Sequence, residues 1–429
     1  MNPPLPIDSL LPDLQRTLVT HTSAVLQAAP GAGKTTRVPL ALLDAPWLGG
    51  KKIIVLEPRR LAARAAARFM ARSLRERVGE TVGYRVHLDN RVGKATRIEV
   101  VTEGILARML QNDPSLESVG LVIFDEFHER SLAADLGLAL CLDSQSALRE
   151  DLRLLIMSAT LDGEAVAQWL GAAPVLTSEG RSYPVTMHYH PARVAYSRDR
   201  RAFYAEIAQR VQTALREESG SLLVFLPGAG EIRQVANLLQ VADLGANILL
   251  APLYGQLTAQ AQDAAIEPAQ ENMRKVVLAT AIAETSLTIE GIRVVIDAGL
   301  MRLLRFDPNT GLSRLETRPV SQAAAEQRCG RAGRLQAGVC YRMWGAHESL
   351  LAQSAPEIMA ADLTPLVLEL AQWGVHDVTQ LRWLDKPRQH ILLRQRHCCS
   401  NWVRWIQPLA LLRMAARCCG LAPIQGLRT

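Results

Sequence analysis

The sequence predicts an α/β chain of two similar-sized domains, each a parallel sheet covered by helices. Three observations carry that expectation. Short apolar runs rich in Val, Ile and Leu recur along the 429 residues, and stretches with helical spacing separate them. The length is also too great for one compact core. Strands buried on both faces read as unbroken apolar runs, as a parallel sheet packed between helices requires.

The first series of runs is SAVLQAA (23–29), KIIVLEP (52–58), RIEVVT (97–102), LVIFDE (121–126) and LRLLIMSAT (152–160). Between them lie stretches such as RRLAARAAARFMARSLRERV (59–78), rich in Ala, Leu and Arg at helical spacing. The second series is SLLVFLP (221–227), NILLAPL (247–253), KVVLAT (275–280) and RVVIDAG (293–299), joined to the first near residues 182–191. The segment LMRLLRFDPNTGLSRLETRP (300–319) places apolar runs around a DPNTG turn and predicts a hairpin. Further on, PEIMAADLTPLVLELAQWGV (356–375) is an amphipathic helical pattern.

Composition narrows the function classes. The net charge of +6 comes from the C-terminal end: residues 388–429 hold seven arginines and no acid, leaving 41 basic against 42 acidic residues before them. A nucleic-acid surface must therefore arise from local placement of Arg and Lys. No apolar run is long enough to cross a membrane, and the N-terminus has no basic start or small-residue cleavage site, so a cytoplasmic protein without a membrane partner is expected. The seven cysteines have no metal-ligand spacing, so neither structural zinc nor a disulfide framework is expected.

The chemistry begins at APGAGKTTR (29–37), directly after the first strand. Gly31 and Gly33 let successive N–H groups point inward, and a helix starting at Lys34 adds its positive end. Pro30, Gly31, Ala32, Gly33, Lys34, Thr35 and Thr36 thus form a phosphate loop, with Lys34 reaching the β and γ phosphates and Thr35 ligating Mg²⁺. Ala28 stands where this motif usually has its first glycine. The ends of parallel strands share one edge. Asp125 would therefore meet the same metal, while Glu126 polarises the water that attacks the γ phosphate. In QRCGRAGR (327–334), Arg328, Arg331 and Arg334 recur every three residues, which predicts one side of a helix and positive charge for the transition state. Two glycines there cost about 1 kcal/mol each against alanine in a helix, which favours function over a plain basic surface.

The ordered set GAGKTT, EPRRLAAR, TEG, DEFH, SAT, FLPGAGEI, ATAIAETSLTI and QRCGRAGR resembles a superfamily 2 helicase of the DEAH/RHA type over nearly all of residues 5–385. Phe127 departs from the alanine of the family's namesake motif, and Ala281 from a frequent asparagine. The resemblance implies two RecA-like domains, 1–185 and 186–350, with ATP and Mg²⁺ in the cleft between them. Single-stranded nucleic acid, RNA before DNA, would run across both in the 3′ to 5′ sense. Gln327, Arg331 and Arg334 would complete the catalytic site that Glu126 begins. His128, Ser158 and Thr160 would couple nucleotide to strand, and Arg59, Arg60, Thr102, Thr280 and Thr285 would hold the strand backbone. Arg60 can equally be a helix residue snorkelling to solvent. The hairpin at 300–319 would help part strands, or serve structure alone.

The resemblance also implies that residues 351–386 begin a winged-helix domain and leave it incomplete. Past Pro387 acids vanish, and HCCSNWVRWIQ (397–407) follows neither helical nor strand logic. With assumed codons, another frame of that run reads LLQQLGALDS, an amphipathic helix and turn, so 387–429 is expected to be an aberrant, out-of-frame tail. Two functions follow: an ATP-driven RNA helicase or translocase, or a truncated, uncoupled ATPase that binds nucleic acid weakly.

Overall fold

The structure, a computed structural model, describes residues 5–159, 163–178, 180, 183–285, 289–307, 310–375 and 377–387. Thr160 and nearly all of the tail at 387–429 lie outside these residues. Among them, the first sheet has eight strands: β1 (Ser23–Ala28), β2 (Lys52–Glu57), β3 (Val82–Val86), β4 (Asp89–Arg91), β5 (Ile98–Thr102), β6 (Val119–Phe124), β7 (Arg153–Ser158) and β8 (Val175–Ser178). Their order is β4-β3-β5-β2-β6-β7-β1-β8, parallel except at β3 and β4. Every residue of β6 is buried, as its apolar run requires.

The second sheet contains β9 (Val185–Tyr189), β10 (Ser221–Phe225), β11 (Ile248–Leu253), β12 (Arg274–Ala279), β13 (Ile292–Asp297) and β16 (Gly338–Arg342), in the parallel order β11-β12-β10-β13-β16-β9. Between β13 and β16 in the chain, β14 (Leu300–Asp307) and β15 (Leu312–Pro319) form a separate antiparallel hairpin with Leu304 opposite Leu315. Apolar runs do not announce β3, β4, β8, β9 or β16. β4 has three residues, and β9 is a half-exposed edge in which polar and apolar residues mix. At β4 and β9 little burial leaves little apolar signal, whereas β3 and β16 are buried but short, with Gly, Tyr and Arg interrupting the apolar run.

Each sheet is covered on both faces. Ile54, Val122, Leu140 and Ile156 belong to one layer of the first, and Ile53, Ala67, Ile123 and Met157 to the other. Leu61, on the helix Arg60–Ser73 beside the first sheet, joins Ala265, Ala283 and Ile289 in a layer of the second, so the two units touch through apolar surface. Arg68 also pairs across to Asp263 at 2.8 Å. The amphipathic pattern at 356–375 becomes the helix Thr364–Trp373. Its Leu366 and Leu370, with Ile358, Leu363, Leu381 and Trp383, enter the core of the first sheet. No helix among the described residues is long and apolar enough to cross a membrane.

Candidate active site

The strand order brings the chemistry together. The phosphate loop follows β1, Asp125 follows β6, and β7 lies between them in the sheet. Gly31 and Gly33 have φ of +86° and +95°, a region where side chains are strained. At Gly33 a Cβ would also come 2.6 Å from Leu5 Cδ1. The helix Lys34–Leu42 starts at once, so its N–H groups face the loop. Pro30 and Gly31 are exposed at the tip, Ala32 is buried, and Thr36 donates its N–H to the Gly33 carbonyl.

Lys34 is buried and donates from Nζ to Glu126 Oε1 at 3.0 Å, with Asp125 Oδ1 at 3.9 Å. Burial opposes the ammonium charge, but Glu126 and Asp125 outweigh it and hold the pKa above the usual lysine value. The carboxylates divide. Burial raises both, yet Lys34 and His128 bring Glu126 below the ordinary range, while Asp125 ends above it. Adjacent acids are thus accommodated by unequal shares of one lysine. Glu126 has a φ of +49° at the start of the turn Phe127–Glu129, and Arg130 closes the turn at the same value. Such backbone costs on the order of 1–3 kcal/mol per residue, and it turns the Glu126 carboxylate back toward Lys34.

Thr35 Oγ1 donates to Asp125 Oδ2. A hydroxyl and a carboxylate in contact beside a phosphate loop are the oxygen donors that Mg²⁺ takes alongside substrate oxygens, so these residues fit the ion. Glu57, fully buried at the end of β2, adds a third carboxyl group; burial, then Asp125 and Glu126, raise it well above its usual range. Sequence reasoning gave Glu57 no role, although it opens the EPRRLAAR motif.

The second unit supplies the opposing wall. Arg334 lies over the phosphate loop, where a Cβ on Gly31 would be 3.8 Å from its Nε. Burial pushes Arg334 down to about 10, with Glu126 acting against that. Arg331 donates from Nε to the Glu284 carbonyl at 2.9 Å, and burial and Arg334 lower its pKa well below the usual value. Two guanidiniums whose charge burial disfavours fit an anion such as a phosphate chain. Gln327 is half-buried on the helix Gln322–Gly330.

The three arginines do not share one helical face. The helix ends at Gly330, Arg331 is its C-cap, and Arg334 lies beyond it, because Gly330 and Gly333 make continuation costly. Arg328 turns inward instead. It donates to Glu284 Oε1 at 2.6 Å and Asp297 Oδ1 at 2.7 Å, and is 1% exposed. Glu284, missed in the sequence, therefore holds Arg328 through its side chain and Arg331 through its backbone.

His128 accepts from the Ala159 N–H on Nδ1 at 3.4 Å, which places the ring proton on Nε2, 3.5 Å from Glu126 Oε2. Burial lowers its pKa, so the ring is neutral near pH 7. Ser158 is buried at the end of β7. Of the residues expected on a strand, Thr102 and Thr280 are half-buried at strand ends and Arg60 is exposed at the start of its helix. Arg59 and Thr285 instead meet at Glu129. Arg59 donates to Glu129 from Nη2 at 3.2 Å and to the Ala281 carbonyl from Nη1 at 2.7 Å, while Thr285 Oγ1 donates to Glu129 Oε1.

Comparison with known proteins agrees with this geometry. The DEAD/DEAH box helicase family matches residues 13–169, and the helicase conserved C-terminal domain matches residues 205–336. The chain is 54% identical over 385 residues to the ATP-dependent RNA helicase HrpB of Escherichia coli, covering 89% of this chain and 47% of that protein. It is 34% identical over 389 residues to the ATP-dependent RNA helicase HrpA of Borreliella burgdorferi, covering 90% and 47%. The crystal structure of the Escherichia coli DEAH/RHA helicase HrpB superposes with a TM-score of 0.86 at 53% identity, over 92% of this chain and 50% of that one. The chain spans about half the length of the curated relatives it matches. Two parallel sheets, a phosphate loop in one and arginines of the other closing over it, and this likeness together place the chain in the DEAH/RHA family of helicases, to which it belongs.

Proposed function

We infer that this chain hydrolyses ATP in the cleft between its two sheets and uses closure and release of that cleft to travel along single-stranded RNA. The observation that carries the reading is the meeting of Arg331 and Arg334, from the second unit, with Glu126 and the phosphate loop of the first. An arginine that reaches the γ phosphate only when two units close makes turnover conditional on their arrangement. The names of HrpB and HrpA, both ATP-dependent RNA helicases, support ATP as substrate and RNA as track. We assign residues 1–185 and 186–350 to the two halves of the motor and 351–386 to the start of a winged-helix-like unit.

Lys34 leaves Glu126 for the β and γ phosphates, and Glu126, kept ionised, is then free to take a proton from the attacking water. Thr35 and Asp125, in contact here, are the residues that would hold Mg²⁺, and the ion would supply charge neutralisation at the phosphates. Gln327 orients the water, while Arg331 and Arg334 stabilise charge that grows in the transition state. His128, between Glu126 and the Ala159 N–H, with Ser158 and Thr160, carries the state of the site towards the track. Arg59, Arg60, Thr102, Thr280 and Thr285 grip the backbone, which gives affinity without sequence choice.

The test is ATP turnover with and without single-stranded RNA, beside Glu126→Gln. RNA-stimulated turnover that falls at least about 100-fold in the variant is expected. Turnover indifferent to RNA would favour an ATPase without a track.

A further inference from the structure

Glu129 lies at the contact of the two units, and its partners are the side chains proposed to hold the strand. Its carboxylate accepts from Arg59 Nη2 at 3.2 Å on each oxygen and from Arg59 Nε at 3.4 Å. From the other unit, Thr285 Oγ1 donates to the same carboxylate. Arg59 completes the bridge by donating to the Ala281 carbonyl across the contact. A guanidinium and a hydroxyl converging on two oxygens of one anion is also the pattern that would recognise the two free oxygens of a phosphodiester. The pair is reachable from solvent, with side chains 24% exposed for Arg59 and 20% for Glu129.

The position of Glu129 in the chain adds a consequence. It ends the turn Phe127–Glu129, and its N–H donates to the Glu126 carbonyl at 2.9 Å. One turn therefore links Glu129 to the residue whose carboxylate Lys34 holds.

We propose that Glu129 is an internal stand-in for a strand phosphate: it occupies the Arg59 and Thr285 subsite when no strand is present, and a phosphodiester of single-stranded RNA displaces it. The two anions cannot share Arg59, because like charges a few ångströms apart repel. Displacement releases Glu129, relaxes the turn and couples the arrival of the track to Glu126. Glu129 is thus a positioning residue that lowers strand affinity and restrains turnover until a strand arrives. This inference rests on the strand-binding reading of Arg59 and Thr285.

The experiment measures binding of a fluorescent twelve-nucleotide uridine RNA to the full chain by anisotropy, without nucleotide, for wild type, Glu129→Gln and Arg59→Gln. ATP turnover with and without the same RNA is measured beside it. The expected result is roughly fivefold or more tighter binding for Glu129→Gln, from loss of the competing charge. Its RNA-free turnover rises, so the stimulation ratio falls, while Arg59→Gln binds weaker than wild type. A structural role alone would not tighten RNA binding. Unchanged or weaker binding by Glu129→Gln, with Arg59→Gln weakened, would overturn the stand-in and leave the strand site intact. Arg59→Gln binding as well as wild type would overturn the strand-site reading itself, and the stand-in with it.

Discussion

Glu103 starts the helix Glu103–Asn112 one residue after Thr102, and Ser131 Oγ donates to it at 2.5 Å. Burial pushes its carboxyl up to about 7; the Ser131 hydrogen bond opposes this, while Glu129, Glu357 and Asp135 add repulsion. An acid whose folded pKa exceeds its unfolded value binds its proton more tightly when folded. Its contribution is therefore fully present below the ordinary glutamate pKa and is lost as pH rises through about 7. The amount at stake is on the order of 3 kcal/mol. Glu103→Gln is thus expected to raise the thermal midpoint at pH 8 by several degrees relative to wild type and to change it little at pH 5. Scanning both proteins at both pH values checks it, and equal differences at the two pH values would refute it.

The end of the helix Gln322–Gly330 divides three arginines by function. Arg328 is sealed between Glu284 and Asp297, so Arg328→Ala would leave two buried carboxylates uncompensated. Loss of one partner from such a group costs about 3–5 kcal/mol, which a lowered unfolding midpoint in denaturant would register. Arg331→Ala should behave oppositely. It removes a buried charge that Arg334 already disfavours, so stability changes little, while turnover falls about 100-fold or more. If both variants lost stability equally, the division would be wrong. The sequence carried the identities of these residues but not their directions. Spacing by three suggested one face, but Arg328 sits on the helix and faces Glu284 and Asp297, whereas the end of the helix at Gly330 leaves Arg331 and Arg334 towards the cleft. Strand and loop were legible at 23–36 and 119–126 because burial on both faces writes an unbroken apolar run. Glu129 and Glu284 were not, because a carboxylate whose partner is more than a hundred residues away, or that acts partly through its backbone, leaves no local pattern.

At the scale of the whole molecule, the segment 351–386 reads in sequence as the opening of a separate domain, and its apolar face packs into the core of the first sheet. Ile358, Leu363, Leu366, Leu370, Leu381 and Trp383 share a core with Leu136, Leu140 and Val166, and Trp373 Nε1 donates to Asp143 Oδ2 at 2.8 Å. Polar contacts reach further, to the stretch just after Glu126. The Glu357 side chain accepts from the Leu132 N–H at 2.9 Å, its own N–H donates to the Arg130 carbonyl at 3.1 Å, and Asp385 pairs with Arg130 at 2.8 Å. A chain ended at Ala355 should therefore differ from one ended at Pro387 in two separable ways. Uncovered apolar surface lowers the thermal midpoint by about 5 °C or more and increases binding of an apolar dye. Loss of the clamp on residues 130–132 lowers kcat for ATP while KM stays near its value, since the phosphate loop and Lys34 lie outside the clamp. Glu357→Ala combined with Asp385→Ala in the chain ended at Pro387 isolates the second effect, because it removes the side-chain contacts to residues 130–132 and spares every apolar contact. A kcat equal to wild type in that variant would mean that the segment only covers the core, whereas a drop without loss of midpoint would make it part of the motor.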